Sequence, residues 1–213
     1  MKLYLSSYFL GNNPEHLVEM IGPDKKVAII MNAADIYGNE KRPTYLANEV
    51  KKFKSLGIEA EELDLRDYFK SPESLKVKLR EYGAVWVMGG NSFVLRRAMQ
   101  YSGFDELIVP LIQNDLIVYA GFSAGSVVAT KSLKGIEIVD DPKQITSDYR
   151  NEVIWDGLNL VDFSIAPHYK SDHPESGMVD KVVAYFEENN MPYKAITDGQ
   201  AIVISGDQIE IVD

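Results

Sequence analysis

Four short stretches of this 213-residue chain carry residue types that could perform acyl transfer together. The first is AGFSAG, residues 120–125, with Ser123 between Gly121 and Gly125. G-x-S-x-G after an apolar strand can form a nucleophile elbow, a strained turn that lifts a serine hydroxyl above its neighbours. The glycines let an adjacent strand approach closely. The same letters also suit an ordinary strand–helix turn in which Ser123 caps the helix.

The second stretch is MGGNSF, residues 88–93. Gly89 and Gly90 end an apolar run and precede a helical one, FVLRRAMQ. Bare amides at such a place can stabilise an oxyanion. The amides of Gly90 and of Ala124, the residue after the serine, are the candidate pair. A glycine turn capped by Asn91 or Ser92 is the plainer alternative.

A serine nucleophile needs a base, and the chain has three histidines. His16, with Glu15 and Glu19 nearby, reads as a surface helix residue. His168 closes the apolar run SIAPH and would share the sheet edge with Ser123, so it is the candidate base. His173 follows in a polar loop, SDHPES. H-x-x-x-x-H also suggests a metal pair, but no third ligand is obvious, and no metal is expected. The candidate acid is Asp198 in AITDGQA, which would hold the imidazole tautomer and stabilise the imidazolium. A plain D-G hairpin turn is the alternative there. Asp140, Asp141 and Glu137 are rival acids, lying between the serine and the histidine.

These residues must be positioned by a scaffold. KLYLSS (2–7), KVAIIMNA (26–33), AVWVMGG (84–90) and LIVYAG (116–121) are nearly continuous in apolar residues, as strands covered on both faces should be. Helical patterns lie between them at 13–22, 42–57 and 71–83, the last with Ser71 as its expected cap. A further helix can start directly at SAGSVVATKSL (123–133). The alternation implies an α/β fold, a doubly wound and mostly parallel sheet with helices on both faces. Later, IEIVDD (136–141) and LVDFSIAPH (160–168) read as strands and 173–190 carries a helix. The tail reads as a strand and then a β-hairpin turning at Ser205-Gly206-Asp207. No repeat or linker interrupts the chain, and one domain over 1–213 is expected.

The order of the partners discriminates between scaffolds. An α/β-hydrolase places its acid between serine and histidine. Here the favoured order is Ser123, His168, Asp198. Together, G-x-S-A-G after an apolar strand, an upstream G-G-N-S-F and a downstream P-H resemble the dipeptidase E (aspartyl dipeptidase) family of serine peptidases. The resemblance covers about residues 1–205. That family shares its fold with the class I glutamine amidotransferase domain, whose members carry cysteine at the elbow. The resemblance implies a flavodoxin-like, amidotransferase-like sheet with the site at the carboxyl edge of its strands. It makes Ser123 the nucleophile, His168 the base and Asp198 the acid, with Gly90 and Ala124 supplying oxyanion amides. An acid between serine and histidine has also been proposed in the family, which keeps Asp140 and Asp141 as alternatives. The implied substrate is a short peptide, including dipeptides with N-terminal Asp, and no cofactor is required.

There is one departure. Members specific for N-terminal Asp carry an arginine-containing segment after the histidine, whereas HYKSDHPESGMVDKVV contains only Lys170 and Lys181 as cations. A pocket for a carboxylate would draw on one of these, on Arg96 or Arg97, or on backbone amides. Asn91 and Lys170 are the candidate substrate-binding residues.

Composition sets outer limits. Apolar residues make up 46% and charged residues 25%, which is ordinary for a globular chain. A net charge of −10 argues against nucleic-acid and anionic-membrane partners. The absence of cysteine excludes disulfides, a cysteine nucleophile and thiolate metal sites. It also excludes the amidotransferase chemistry of the wider fold group. No signal peptide or spanning segment is evident, so a cytoplasmic protein is expected, as monomer or homodimer. An esterase or isopeptidase on the same scaffold, or a catalytically silent binding domain, are the competing readings.

Overall fold

The computed structural model describes residues 1–23, 26–38, 40–69, 71–146 and 149–213. Its main sheet has seven strands in the order β3-β2-β4-β5-β1-β8-β9. The apolar runs form its buried centre: β1 (Lys2–Ser6), β2 (Lys26–Ile30), β4 (Ala84–Val87) and β5 (Val118–Phe122). They pair in parallel, together with β3 (Glu59–Glu62) at one edge. β8 (Ala201–Ser205) and β9 (Gln208–Val212) form the expected hairpin, antiparallel to β1 through β8.

Alternate side chains of each strand face opposite layers. Tyr4, Ile29, Trp86 and Ala120 pack with Leu17 and Ile21 of α1 (Glu15–Ile21) and Phe53 of α2 (Arg42–Ser55). Leu3, Leu5, Val85 and Tyr119 pack on the other side. There they meet α3 (Pro72–Leu79), α4 (Ser92–Ser102), α5 (Phe104–Gln113) and α7 (Ser176–Glu188). The doubly wound α/β architecture is therefore present. Among the described residues no helix is long and apolar enough to cross a membrane.

Several local expectations fail for identifiable reasons. β3, EAEE, carries no apolar signal because it is an edge strand. Its glutamates instead reach Lys26 of β2, which bridges Glu59 and Glu61. Residues 136–141 are not a strand. Gly135 turns the chain at φ +94 into a short 3₁₀ turn, Ile136–Ile138. Only Ser164–Ala166 of 160–168 is a strand, β6. Before it, the amides of Leu160 and Val161 go to the carbonyl of Ala129. That pairing, with Asn159 bonding Thr130, also limits the helix after the serine to one turn, α6 (Ala124–Val127). β6 pairs with β7 (Tyr193–Ala195) in a separate two-stranded sheet rather than joining the main one. Ser71 precedes α3 without capping it.

Candidate active site

β5 ends at Phe122 and α6 begins at Ala124, which leaves Ser123 alone on the turn. Its backbone is held at φ 50, ψ −117, a region non-glycine residues avoid. Close packing holds it there. The Ser123 amide donates to the carbonyls of Ser6 and Ser7 at the end of β1. The Ser126 hydroxyl donates to the Ser6 carbonyl at 2.8 Å and to that of Gly121 at 2.9 Å. A Cβ at Gly125 would lie 2.1 Å from the Val87 carbonyl of β4, so only glycine admits this approach. The turn is thus a strained elbow at the carboxyl edge, and Ser123 does not make a side-chain cap bond.

The β4 loop lies against it. A Cβ on Gly89 would be 3.0 Å from the Cβ of Ser123. Gly90 adopts φ +140, with the Ala33 carbonyl 2.3 Å from where its Cβ would be. Among the described residues, neither the Gly90 nor the Ala124 amide has a protein acceptor.

His168 follows β6 by two residues, with φ +62, and is 2% exposed. Its Nδ1 lies 2.7 Å from Oδ1 of Asp198, in the turn between β7 and β8. An ionised carboxylate only accepts, so the proton sits on Nδ1 and Nε2 keeps a lone pair. The assembly is held by residues that carry no motif. The Ser7 hydroxyl accepts from the His168 amide at 2.7 Å and donates to Asp198 Oδ1 at 2.8 Å. The Ser171 hydroxyl accepts from the Asp198 amide at 2.7 Å. Burial lowers the His168 pKa below the ordinary histidine value, the Asp198 hydrogen bond opposes that, and His173 adds to the lowering.

None of the rival acids is bonded to His168, although Asp140 lines a small cavity shared with Ser123 and His168. Asp140 accepts from the Ser92 amide at 2.8 Å, at the start of α4, and burial pushes its pKa up to about 6. Asp141 is exposed and accepts from the Lys143 amide in its own turn. Glu137 accepts from the Gly135 amide.

Several candidates for substrate contact are otherwise engaged. Asn91 is 2% exposed; its Oδ1 caps α4 by accepting from Phe93 and Val94, and its Nδ2 donates to Asp141 and Gln144. The capping reading is the one its geometry matches. Lys170 is exposed, its ammonium 4.9 Å from the Tyr169 ring, and it does not line the cavity described next. Arg96 and Arg97 are buried residues of α4, donating to backbone carbonyls at Asp156 and at Pro142, Gln144 and Glu152 respectively.

Ser123 and His168 open onto one cavity of about 720 Å³. Gly89 and Gly90 form part of its wall. Tyr8, Phe9, Tyr37 and Tyr45 supply aromatic surface, and Lys52 with Glu49 supplies a charge pair on α2. His173 stacks on His168 with ring centroids 3.7 Å apart and planes 8° apart. Apart from Gly89, Gly90 and His173, the sequence singled out none of these wall residues for the site. Nothing in their local patterns marks them, because they come from loops and a helix face far apart along the chain.

A strained serine, a buried imidazole–carboxylate pair and unengaged amides around one cavity are the parts of a serine-type hydrolase. The chain matches the family model "Peptidase family S51" over residues 10–212 and belongs to that family. It is 32% identical over 185 residues to an uncharacterized peptidase of Listeria monocytogenes, covering 87% of this chain and 84% of the relative. It is 30% identical over 154 residues to a protein named Peptidase E in Streptomyces coelicolor, covering 68% of this chain and 58% of that one. A solved structure from Listeria monocytogenes EGD-e, assigned as a peptidase E, superposes with a TM-score of 0.80 at 30% identity. That match covers 99% of this chain and 97% of the other. The protein is a serine-type peptidase.

Proposed function

We propose that the chain hydrolyses short peptides through Ser123, His168 and Asp198. The observation that carries this reading is the 2.7 Å bond between His168 Nδ1 and Asp198, beside an elbow serine on the same cavity. Ser123 attacks the scissile carbonyl while Nε2 of His168 takes its proton. The amides of Gly90 and Ala124 hold the oxyanion. His168 then protonates the leaving amine, the acyl-enzyme forms, and water drawn through the same imidazole releases the acid. Asp198 stays ionised throughout and stabilises the imidazolium. A depressed His168 pKa suits this work, because the ring is neutral and basic at neutral pH.

Among short peptides, dipeptides with N-terminal Asp are the finer assignment that the family resemblance carries. Of the cations named for that role in the sequence, none lines the cavity. The cations that do are Lys51 and Lys52, on α2. Rates on Asp-X against Ala-X and Leu-X dipeptides test the assignment; equal rates reject it. The mechanism is tested by Ser123→Ala. It should abolish hydrolysis and labelling by a fluorophosphonate while leaving the fold intact; retained hydrolysis overturns the reading.

A further inference from the structure

One cluster of donor atoms on the cavity wall enters the reaction as derived only through His168. His168, His173 and Glu175 each offer a ligand-type atom, all within 4.8 Å of one another. The sequence shows the two histidines at H-x-x-x-x-H spacing; folding adds the carboxylate two residues further on. We propose that these three side chains form a binding site for a divalent transition-metal ion of the zinc class, and that an ion bound there blocks hydrolysis.

The donor set decides the class of ion. Two imidazoles and one carboxylate suit zinc and its neighbours, whereas calcium and magnesium prefer oxygen throughout. Each ring has a lone pair to give. Asp198 holds Nδ1–H of His168 at 2.7 Å, which leaves Nε2 bare. A carboxylate behind a metal-binding imidazole also raises its basicity and fixes its orientation. His173 presents Nδ1 toward Glu175, 3.9 Å from Oε2, and its present partner is the Glu175 amide at a long 3.3 Å. An ion that takes this lone pair displaces only that weak bond.

The rings are stacked nearly parallel, so their lone pairs do not yet converge. His173 is the ring that tilts. It sits in the loop before α7, 19% exposed at the side chain, whereas His168 is 2% exposed and held by Asp198 and Ser7. Glu175, and Asp198 behind His168, offset the positive charge. The inhibitory consequence follows from electron pairs: Nε2 of His168 cannot bind an ion and accept the Ser123 proton together. That consequence rests on the proposed mechanism, but the site itself does not.

The test begins with Ser123→Ala, titrated with cobalt(II) and followed by its visible absorption, then displaced by zinc. One ion should bind per chain. His173→Ala in that background should weaken binding roughly tenfold or more. Glu175→Gln should also weaken it, and it carries the test if His173→Ala fails to fold by circular dichroism. In the protein with Ser123 intact, zinc should inhibit at concentrations matching its affinity, and a chelator should restore the rate. For His173→Ala and Glu175→Gln made with Ser123 intact, inhibition is read against each variant's own metal-free rate. Absence of saturable cobalt binding, or binding unchanged in the folded variants, overturns the proposal. If Ser123→Ala binds cobalt but the unmodified chain hydrolyses no peptide, the metal site stands and the peptidase mechanism falls.

Discussion

The cavity has two ends, built by different means. At the inner end, Ser123, His168 and Asp198 are each held by backbone amides or carbonyls and by buried hydroxyls. At the outer end, Tyr37 is 55% exposed and shares the cavity wall with Tyr45, Glu49 and Lys52 of α2. Lys52 there lies 3.4 Å from the Phe9 ring and 2.6 Å from Glu49, an ion pair open to solvent on one side. The contrast teaches where precision resides. Strand ends and tight turns fix atoms to the tolerance that proton transfer needs. An exposed aromatic wall can shift to admit different side chains, so substitutions there should change binding more than rate.

Four substitutions or conditions break or sharpen that comparison. The largest effect belongs to Asp198→Asn, which keeps the shape but favours the wrong imidazole tautomer. The rate constant kcat should fall by a factor on the order of 10⁴ with KM little changed. An undiminished kcat would move the acid to Asp140. Ser7→Ala comes next. It removes a hydroxyl that joins the His168 amide to Asp198, leaving a buried donor without its partner. Stability should drop by about 1–3 kcal/mol in urea unfolding, with kcat reduced and KM held. Ser7→Thr should recover part of both, which a purely structural loss would not separate.

The third is pH. Because burial lowers the His168 pKa, the acid limb of kcat/KM should lie below the ordinary histidine value of about 6.5. The sign for stability follows. The unfolded chain takes up this proton at higher pH than the folded one, so stability is full above that ordinary value. It is lost as pH falls through it. Asp140 acts oppositely. It retains its proton to about pH 6 when folded, so stability falls as pH rises from the ordinary carboxylate range to 6. Asp140→Asn should flatten that second slope alone. The smallest effect belongs to Lys52→Ala at the outer end, where KM should change roughly two- to fivefold and kcat should not. A large loss of kcat there would erase the distinction between the two ends.

The same division explains what could be read beforehand. Local patterns sufficed for the inner strands, since β1, β2, β4 and β5 are continuous apolar runs whose burial leaves little choice. They did not suffice for β3, for 136–141 or for 160–163. There a lone edge, a left-handed glycine and a pairing to Ala129 overrode residue type. Asn91 shows the limit within a motif: the letters G-G-N offered it both as a helix cap and as a ligand contact, and its Oδ1, accepting from Phe93 and Val94, matches the cap.

The sequence by itself determined the class of fold, the G-x-S-A-G letters around Ser123 and the absence of any thiol, because apolar runs and residue types are read along the chain. Tertiary structure alone decided which carboxylate His168 meets. Asp198 stands 30 residues away in a D-G turn that looks like any other. It also decided that Ser7, 161 residues from His168, clamps it, and that His173 and Glu175 stand beside it. Hydrogen bonds and ring contacts form across space between segments that leave no shared period in the chain, so only folding reveals them.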